Sequence, residues 1–312
     1  MKKVGIIGGS GFIGSHITKL FLENGDEVKV SATNISKTEK YQHLLNLKNA
    51  VNLEICPLDV KNIHELEAFA NDCEILIHGG TPFQLEVKDA KTELFDPTIK
   101  GTENFLEVVK QSKSIKKVIF IASVAAYNTN FPLPAGGKKG TDFFNENDTP
   151  FMSEEGHPYA QAKFIANQVV EKFIADNPNL SFEITSVSPV GVMGKSLSKR
   201  QDSTSTGIQF LFKNKIAPNP FIQMLYDLDA LWALVDVKDV AESIFKAATT
   251  TGLHGENYLL SSESYPVSDI SLMLNDKAPK NKAKIICQNA KASRELGITF
   301  QPAIKFLKTF NA

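Results

Sequence analysis

Two hydrophobic rhythms alternate along the first half of this chain. Short, nearly unbroken apolar runs at Lys3 to Ile7, Glu27 to Ala32, Asn52 to Cys56, Glu74 to His78, Lys116 to Ala122 and Ser181 to Ser188 predict strands. Such runs suit parallel strands covered on both faces, whereas a sheet with one wet face alternates apolar and polar residues. Between the runs, apolar positions recur at helical spacing: Phe12, Ile13, Ile17, Leu20 and Phe21, then Phe95, Ile99, Thr102, Phe105, Leu106 and Val109, then Phe164, Ala166, Val169, Val170 and Phe173. Strands and helices in alternation imply right-handed crossovers and an α/β fold built on a doubly wound parallel sheet.

The rhythm breaks twice. Residues Asn128 to Pro158 include Pro132, Pro134, Gly136, Gly137, Gly140, Pro150 and Gly156, a long insertion of the sort that is functional or mobile in compact domains. Beyond Ser188 the elements shorten to an irregular stretch from Pro189 to about Leu231, a strand at Trp232 to Val235, and a helix over Val237 to Ala248. Strands at Asn257 to Leu260 and Lys284 to Cys287, with helices near Ser268 and Lys291, read as a smaller C-terminal α/β cap over the open end of the sheet. The expected division is a dinucleotide-binding domain over 1–188, continued by about 232–258, and a substrate-binding cap of 189–231 and 259–312.

The first strand runs straight into Gly8-Gly9-Ser10-Gly11-Phe12-Ile13-Gly14 and then a helix. Gly8 can take backbone angles closed to other residues, Gly11 leaves room for a pyrophosphate, and Gly14 lets the helix pack closely on the strand. The helix start, from Phe12 and Ile13 onward, presents free N–H groups and a partial positive charge to phosphate. A tight turn between buried elements needs glycines too. The apolar strand before it and the second strand on schedule after it favour a Rossmann-type βαβ unit.

Composition narrows the function classes. The 312 residues are 42% hydrophobic, enough for a large core, and the net charge of -1 without a long basic run argues against a nucleic-acid surface. No apolar stretch is long enough to cross a bilayer, and Met1-Lys2-Lys3 leads directly into the first strand, so we expect no signal peptide. Cys56, Cys73 and Cys287 are scattered without metal-ligand spacing, which fits buried thiols in a reducing cytoplasm. Nothing in the residues signals an oligomeric state.

Tyr159 and Lys163 stand four apart at the start of a helix whose first turn Pro158 suits, so both side chains share a face. On many helices such a pair is only solvated surface. An ammonium close to a phenol stabilises the phenolate, and the expectation is a Tyr159 pKa drawn from its ordinary ~10 toward neutrality. Ser123 follows Val118 to Ala122 at the C-terminal end of a buried strand, where open α/β sheets bind ligands. His78, His157 and Trp232 read as packing or helix-start residues.

These residues together resemble the extended short-chain dehydrogenase/reductase family, whose turn G-x-x-G-x-x-G is matched by Gly8, Gly11 and Gly14 and whose catalytic trio matches Ser123, Tyr159 and Lys163. The resemblance sharpens to the branch of dihydroflavonol, cinnamoyl-CoA and microbial aldehyde reductases through Ile77 to Phe83, Pro97 to Thr102, Ser188 to Gly194 and Val235 to Ala241. It implies hydride transfer from nicotinamide to a carbonyl carbon, with Tyr159 protonating the oxygen, Ser123 holding it, and Lys163 binding the ribose. It also assigns Asp59 and Val60 to the adenine, and Gly79, Thr81, Pro189 and Val192 to the cofactor cleft. A helix N-cap is the competing reading of Asp59.

An acid ending the second strand would hold a ribose 2′-hydroxyl and repel a 2′-phosphate. Here the segment is Ser31-Ala32-Thr33-Asn34-Ile35-Ser36-Lys37, with no acid, and Ser31, Thr33, Asn34 and Lys37 are available to a phosphate, so NADPH is favoured over NAD. Three function classes compete: reduction of a small-molecule carbonyl, a nucleotide-sugar epimerase or dehydratase, and a non-enzymatic dinucleotide sensor. A hydroxysteroid-type dehydrogenase is a close relative of the first. Val124-Ala125 after Ser123, where the resemblance leads one to expect Asp-Glu in a dehydratase, favours reduction. Phe131, Phe143, Phe144, Phe221, Met224, Leu225 and Tyr226 lie where a substrate pocket would form and suggest an apolar or aromatic carbonyl.

Overall fold

A computed structural model describes residues 1–79, 88–136, 139, 144–199 and 203–311. The strands are β1 (Lys3–Ile7), β2 (Glu27–Ala32), β3 (Leu53–Pro57), β4 (Ile75–His78), β5 (Lys117–Ile121), β6 (Glu183–Pro189), β7 (Gly191–Met193), β8 (Leu231–Asp236), β9 (Asn257–Leu260) and β10 (Ser264–Pro266). The helices are α1 (Phe12–Glu23), α2 (Gln42–Leu45), α3 (Ile63–Ala70), α4 (Gly101–Gln111), α5 (Pro158–Asp176), α6 (Thr204–Asn214), α7 (Pro220–Asp227), α8 (Val237–Thr249), α9 (Val267–Leu274), α10 (Ala290–Glu295) and α11 (Ala303–Leu307). No helix among the described residues is long and apolar enough to cross a membrane.

Seven strands form a parallel sheet in the order β3-β2-β1-β4-β5-β6-β9, with Val4 opposite Val28 on one side and Ile75 on the other. Because successive side chains point to opposite faces, both faces must be apolar to be covered. On one face Val4, Ile6, Val30 and Ile119 pack with Ile17 and Phe21 of α1 and Ile244 of α8. On the other, Ile7, Leu76, Val118 and Ile184 pack with Phe69, Phe105 and Val170 from α3, α4 and α5. Strand order reverses at β1, so a crevice opens beyond the ends of β1 and β4, the place where such sheets bind ligands.

A second, three-stranded sheet, β10-β8-β7, joins α6, α7, α9 and α11 around Phe212, Ile222, Leu225, Trp232, Ile270 and Phe306. The stretch expected to be irregular therefore contains β7, α6 and α7. Helix α7 carried a readable start, since Asn219 accepts the Ile222 N–H at 3.0 Å and Pro220 occupies its first turn. The strand expected at Lys284 to Cys287 does not form. Lys284 bridges Ser264 and Cys287 bridges Phe144, so the segment divides between two partners instead of continuing one ladder. The periodicity expected from Phe95 to Val109 is split into a π-helical stretch, Lys91–Lys100, and α4, with Pro97 supplying no N–H inside the first.

One partly buried ion pair ties β5 to β6. Lys117, whose side chain is 6% exposed, donates to Glu183 at 2.6 Å and to the Thr250 carbonyl at 2.9 Å. Burial raises the Glu183 carboxyl, but Lys117 and the N–H groups of Gly252 and Leu253 outweigh it and hold the group below the usual range. Glu183→Ala leaves the buried Lys117 ammonium with the Thr250 carbonyl alone, and urea titration should show a loss of about 2 kcal/mol. A loss indistinguishable from that of an exposed glutamate would mean that Lys117 is resolvated in the folded state.

Candidate active site

A cavity of about 530 Å³ opens where β1, β4, β5 and β6 end. Of the residues singled out in the sequence, it brings together Gly8, Gly11, Phe12, Ile13, Gly14, Gly79, Ser123, Tyr159, Lys163, Pro189 and Val192. The glycine turn forms one wall. Gly8 has φ +81°, and a Cβ on Gly14 would strike the Gly8 carbonyl oxygen and meet Gly9 Cα at 2.7 Å, so α1 starts closer to the turn than any other residue permits. Helix α1 begins at Gly11 with no side-chain cap and no acid in its first turn, which leaves its N–H groups open to the cavity. An uncapped helix start and a Gly11 that presents no side chain to the cavity fit a dinucleotide pyrophosphate.

Ser123 ends the extended backbone of β5 and accepts the Ala125 N–H at 3.2 Å, which leaves its own proton available. It stands close enough to the Tyr159 phenol to draw that group's pKa down. Pro158 opens α5, and His157 Nδ1 accepts the Tyr159 N–H at 3.1 Å, so His157 serves the helix start. Lys163, four residues on, is buried and donates to the Ile121 carbonyl at 2.9 Å. Burial pushes its pKa down to about 8.

The expected fall in the Tyr159 pKa is overturned. Burial pushes the phenol well above its ordinary value, and Ser123 offsets only part of that rise. Lys163 spends its bond on the β5 backbone, so desolvation of the phenolate dominates. His78 is packed between Phe105 and Phe120, at 4.8 and 5.2 Å between ring centres, and burial holds it neutral with a pKa down to about 3.

Other residues fall outside the cavity. Ser31 Oγ accepts the Gly8 N–H at 2.9 Å and so holds the glycine turn itself. Thr33, Asn34 and Lys37 are exposed, and the Asn34 side chain accepts the Ser36 N–H within its own turn. Asp59 is exposed and accepts the Lys61 N–H, while Asn62, not Asp59, caps α3. Val60 packs near Gly101 at the start of α4. Thr81 and Phe143 lie outside the described residues.

The far wall is a mixture that the sequence only partly revealed. Phe131 lines it as expected, joined by Trp232, Ile208 and Met193 and by the hydroxyls of Ser196, Ser198, Ser203, Thr204 and Ser205. Trp232, read as packing, stands against Phe131 with ring centres 5.3 Å apart and faces the cavity as well as the cap core. Phe221, Met224, Leu225 and Tyr226 pack within the cap instead, and Phe144 packs on Tyr127. The density of hydroxyls from Ser196 to Ser205 was the usable signal for this wall.

Fold and site define a dinucleotide-dependent oxidoreductase. The chain belongs to the NAD dependent epimerase/dehydratase family, whose model matches residues 4–261. It is 27% identical to a cinnamoyl-CoA reductase of Medicago truncatula over 95% of this chain and 90% of that protein. It is 24% identical to the NADPH-dependent methylglyoxal reductase of Saccharomyces cerevisiae, over 90% of this chain and 84% of the relative. The crystal structure of a yeast methylglyoxal/isovaleraldehyde reductase complexed with NADPH superposes with a TM-score of 0.80 at 21% identity, covering 98% of this chain and 96% of that one.

Gly11→Val separates binding from folding. A Cβ there meets only the Gly8 carbonyl at 3.2 Å, a contact that small shifts relieve, while the larger side chain projects where the pyrophosphate would lie. Circular dichroism should show an intact fold, and calorimetric titration should show no binding of NADPH or NADH. Tight binding by the folded variant would reduce the glycine turn to packing.

Proposed function

We propose that the protein is an NADPH-dependent carbonyl reductase acting on a small aldehyde or ketone of apolar or aromatic character. The observation that carries this reading is the meeting of Ser123, Tyr159 and Lys163 in the same cavity as the open start of α1, with Ser123 near enough to act on the Tyr159 phenol. A dinucleotide bound in this cavity would supply a hydride to the carbonyl carbon. The Ser123 proton holds the carbonyl oxygen, and Tyr159 gives its proton to that oxygen as charge develops there, leaving an alcohol and a Tyr159 phenolate to be reprotonated. A phenol whose pKa burial has raised is fully protonated at neutral pH, the form that reduction needs.

Lys163 is the one charged side chain among the described lining residues, and below its pKa of about 8 it offers an ammonium to the ribose hydroxyls. A nucleotide sugar would bring its own diphosphate to a substrate wall made of Phe131, Trp232, Ile208 and hydroxyl groups, which favours a neutral carbonyl compound. The acid-free end of β2 and the NADPH-dependent relatives support NADPH over NADH.

Oxidation of NADPH and NADH against aldehydes, α-dicarbonyls, aromatic ketones and nucleotide sugars tests the reading directly. Tyr159→Phe should lower carbonyl reduction by ~10²–10⁴ with cofactor affinity nearly unchanged. Half the wild-type turnover in that variant would remove Tyr159 from the chemistry. NADPH affinity should fall as pH rises through about 8, where Lys163 loses its charge, and Lys163→Met should show no such slope. Thr33→Arg should favour NADPH and Thr33→Asp should favour NADH. Indifference to both would mean that Thr33 does not face the adenosine ribose.

A further inference from the structure

Two buried polar side chains that the chemistry above does not use hold the two outer ends of the dipeptide Gly194-Lys195. His16, on α1 one turn past Phe12 and 5% exposed, has Nε2 2.9 Å from the Lys195 carbonyl oxygen. Gln209, on α6 and 0% exposed, accepts the N–H of Gly194 at 2.9 Å through Oε1. Gly194 has φ +124°, a turn that glycine favours, directly after β7. The residues on either side, Met193 and Ser196, both line the cavity. The segment forming the cavity's far wall is thus held from one side by the dinucleotide helix and from the other by a helix packed with the three-stranded sheet.

We propose that His16 and Gln209 are positioning residues that clamp the Gly194-Lys195 joint, setting the distance between the glycine turn and the substrate wall. The substrate half of this statement rests on the carbonyl-reductase reading; the cofactor half does not. A carbonyl oxygen only accepts, so His16 Nε2 carries the hydrogen and the ring is held in one neutral tautomer. Burial keeps it neutral down to a pKa of about 4, with Lys195 O opposing and Lys19 and Lys238 reinforcing, so the clamp neither switches nor adds charge across an ordinary assay range. Phe12, a cavity residue, packs edge-on to the His16 ring, so the clamp and the cavity share one turn of α1.

The test uses His16→Phe, which keeps the ring and loses the donor, His16→Gln, which restores an N–H donor, and Gln209→Leu. NADPH dissociation constants by fluorescence, KM and kcat with phenylglyoxal, and urea unfolding are measured for each and for the Phe/Leu double variant. His16→Phe should raise both the NADPH Kd and the KM about tenfold, the scale of one lost hydrogen bond, with kcat within about twofold. His16→Gln should recover most of the loss, and the double variant should lose less than the product of the singles because both bonds hold one joint. Unchanged Kd and KM in folded His16→Phe, no rescue by Gln, or strictly multiplicative losses would each overturn the clamp. If His16→Phe does not fold, Gln209→Leu alone makes the comparison: it should raise the NADPH Kd and the KM together, and unchanged values in that folded variant would overturn the clamp. A wild type that reduces no carbonyl sinks the substrate reading alone, since NADPH affinity still reports on the joint.

Discussion

Everything in the cavity depends on how closely α1 approaches the turn that precedes it. The Gly14 Cα lies where no side chain could stand against the Gly8 carbonyl, and Ser31 from the neighbouring strand ties the Gly8 N–H in place. That contact aims the open end of α1 across the crevice between β1 and β4. Gly79, whose N–H donates to the Ile7 carbonyl at 3.0 Å, fixes the opposite lip by the same kind of backbone bond. A dinucleotide site thus follows from the packing of one helix on one strand, before any side chain contributes.

The catalytic candidates are held by the sheet in an equally local way. Ser123 stands at the end of β5, and Lys163 reaches back to the carbonyl of Ile121 two residues earlier on the same strand end. Tyr159 reaches Ser123 because the start of α5 is set by Pro158 and His157. Desolvation acts on both titratable groups in opposite senses, raising the phenol and lowering the ammonium, so each is pushed toward its neutral form. Burial thus keeps the Tyr159 phenol protonated at neutral pH on the same helix turn as a lysine of pKa about 8.

Strands and helices of the large sheet were legible because two-sided burial writes itself as apolar runs, and β1, β2 and β9 begin and end where those runs do. The glycines and the Ser, Tyr and Lys positions were legible because their spacing is local. What was not legible depended on distant partners. Ser31 also accepts the Gly8 N–H and so holds the glycine turn, and Lys284 to Cys287 looked like a strand but has two different partners. Trp232 faces both a core and a cavity, and nothing along the chain distinguishes those two faces. His16 meets Lys195 across 179 positions, a pairing that no window on the sequence contains.

The family to which the chain belongs spans epimerases, dehydratases and reductases on one fold, so fold alone does not choose among them. The choice falls to the wall facing the glycine turn. Here it presents Phe131, Trp232 and Ile208 together with neutral hydroxyls, and among the described residues no cation besides Lys163. Among the described residues that wall offers hydrogen bonds and apolar contact rather than paired charge. The same wall is joined to α1 through the Lys195 carbonyl and to α6 through the Gly194 N–H, so its position is tied to the helix that starts at the glycine turn.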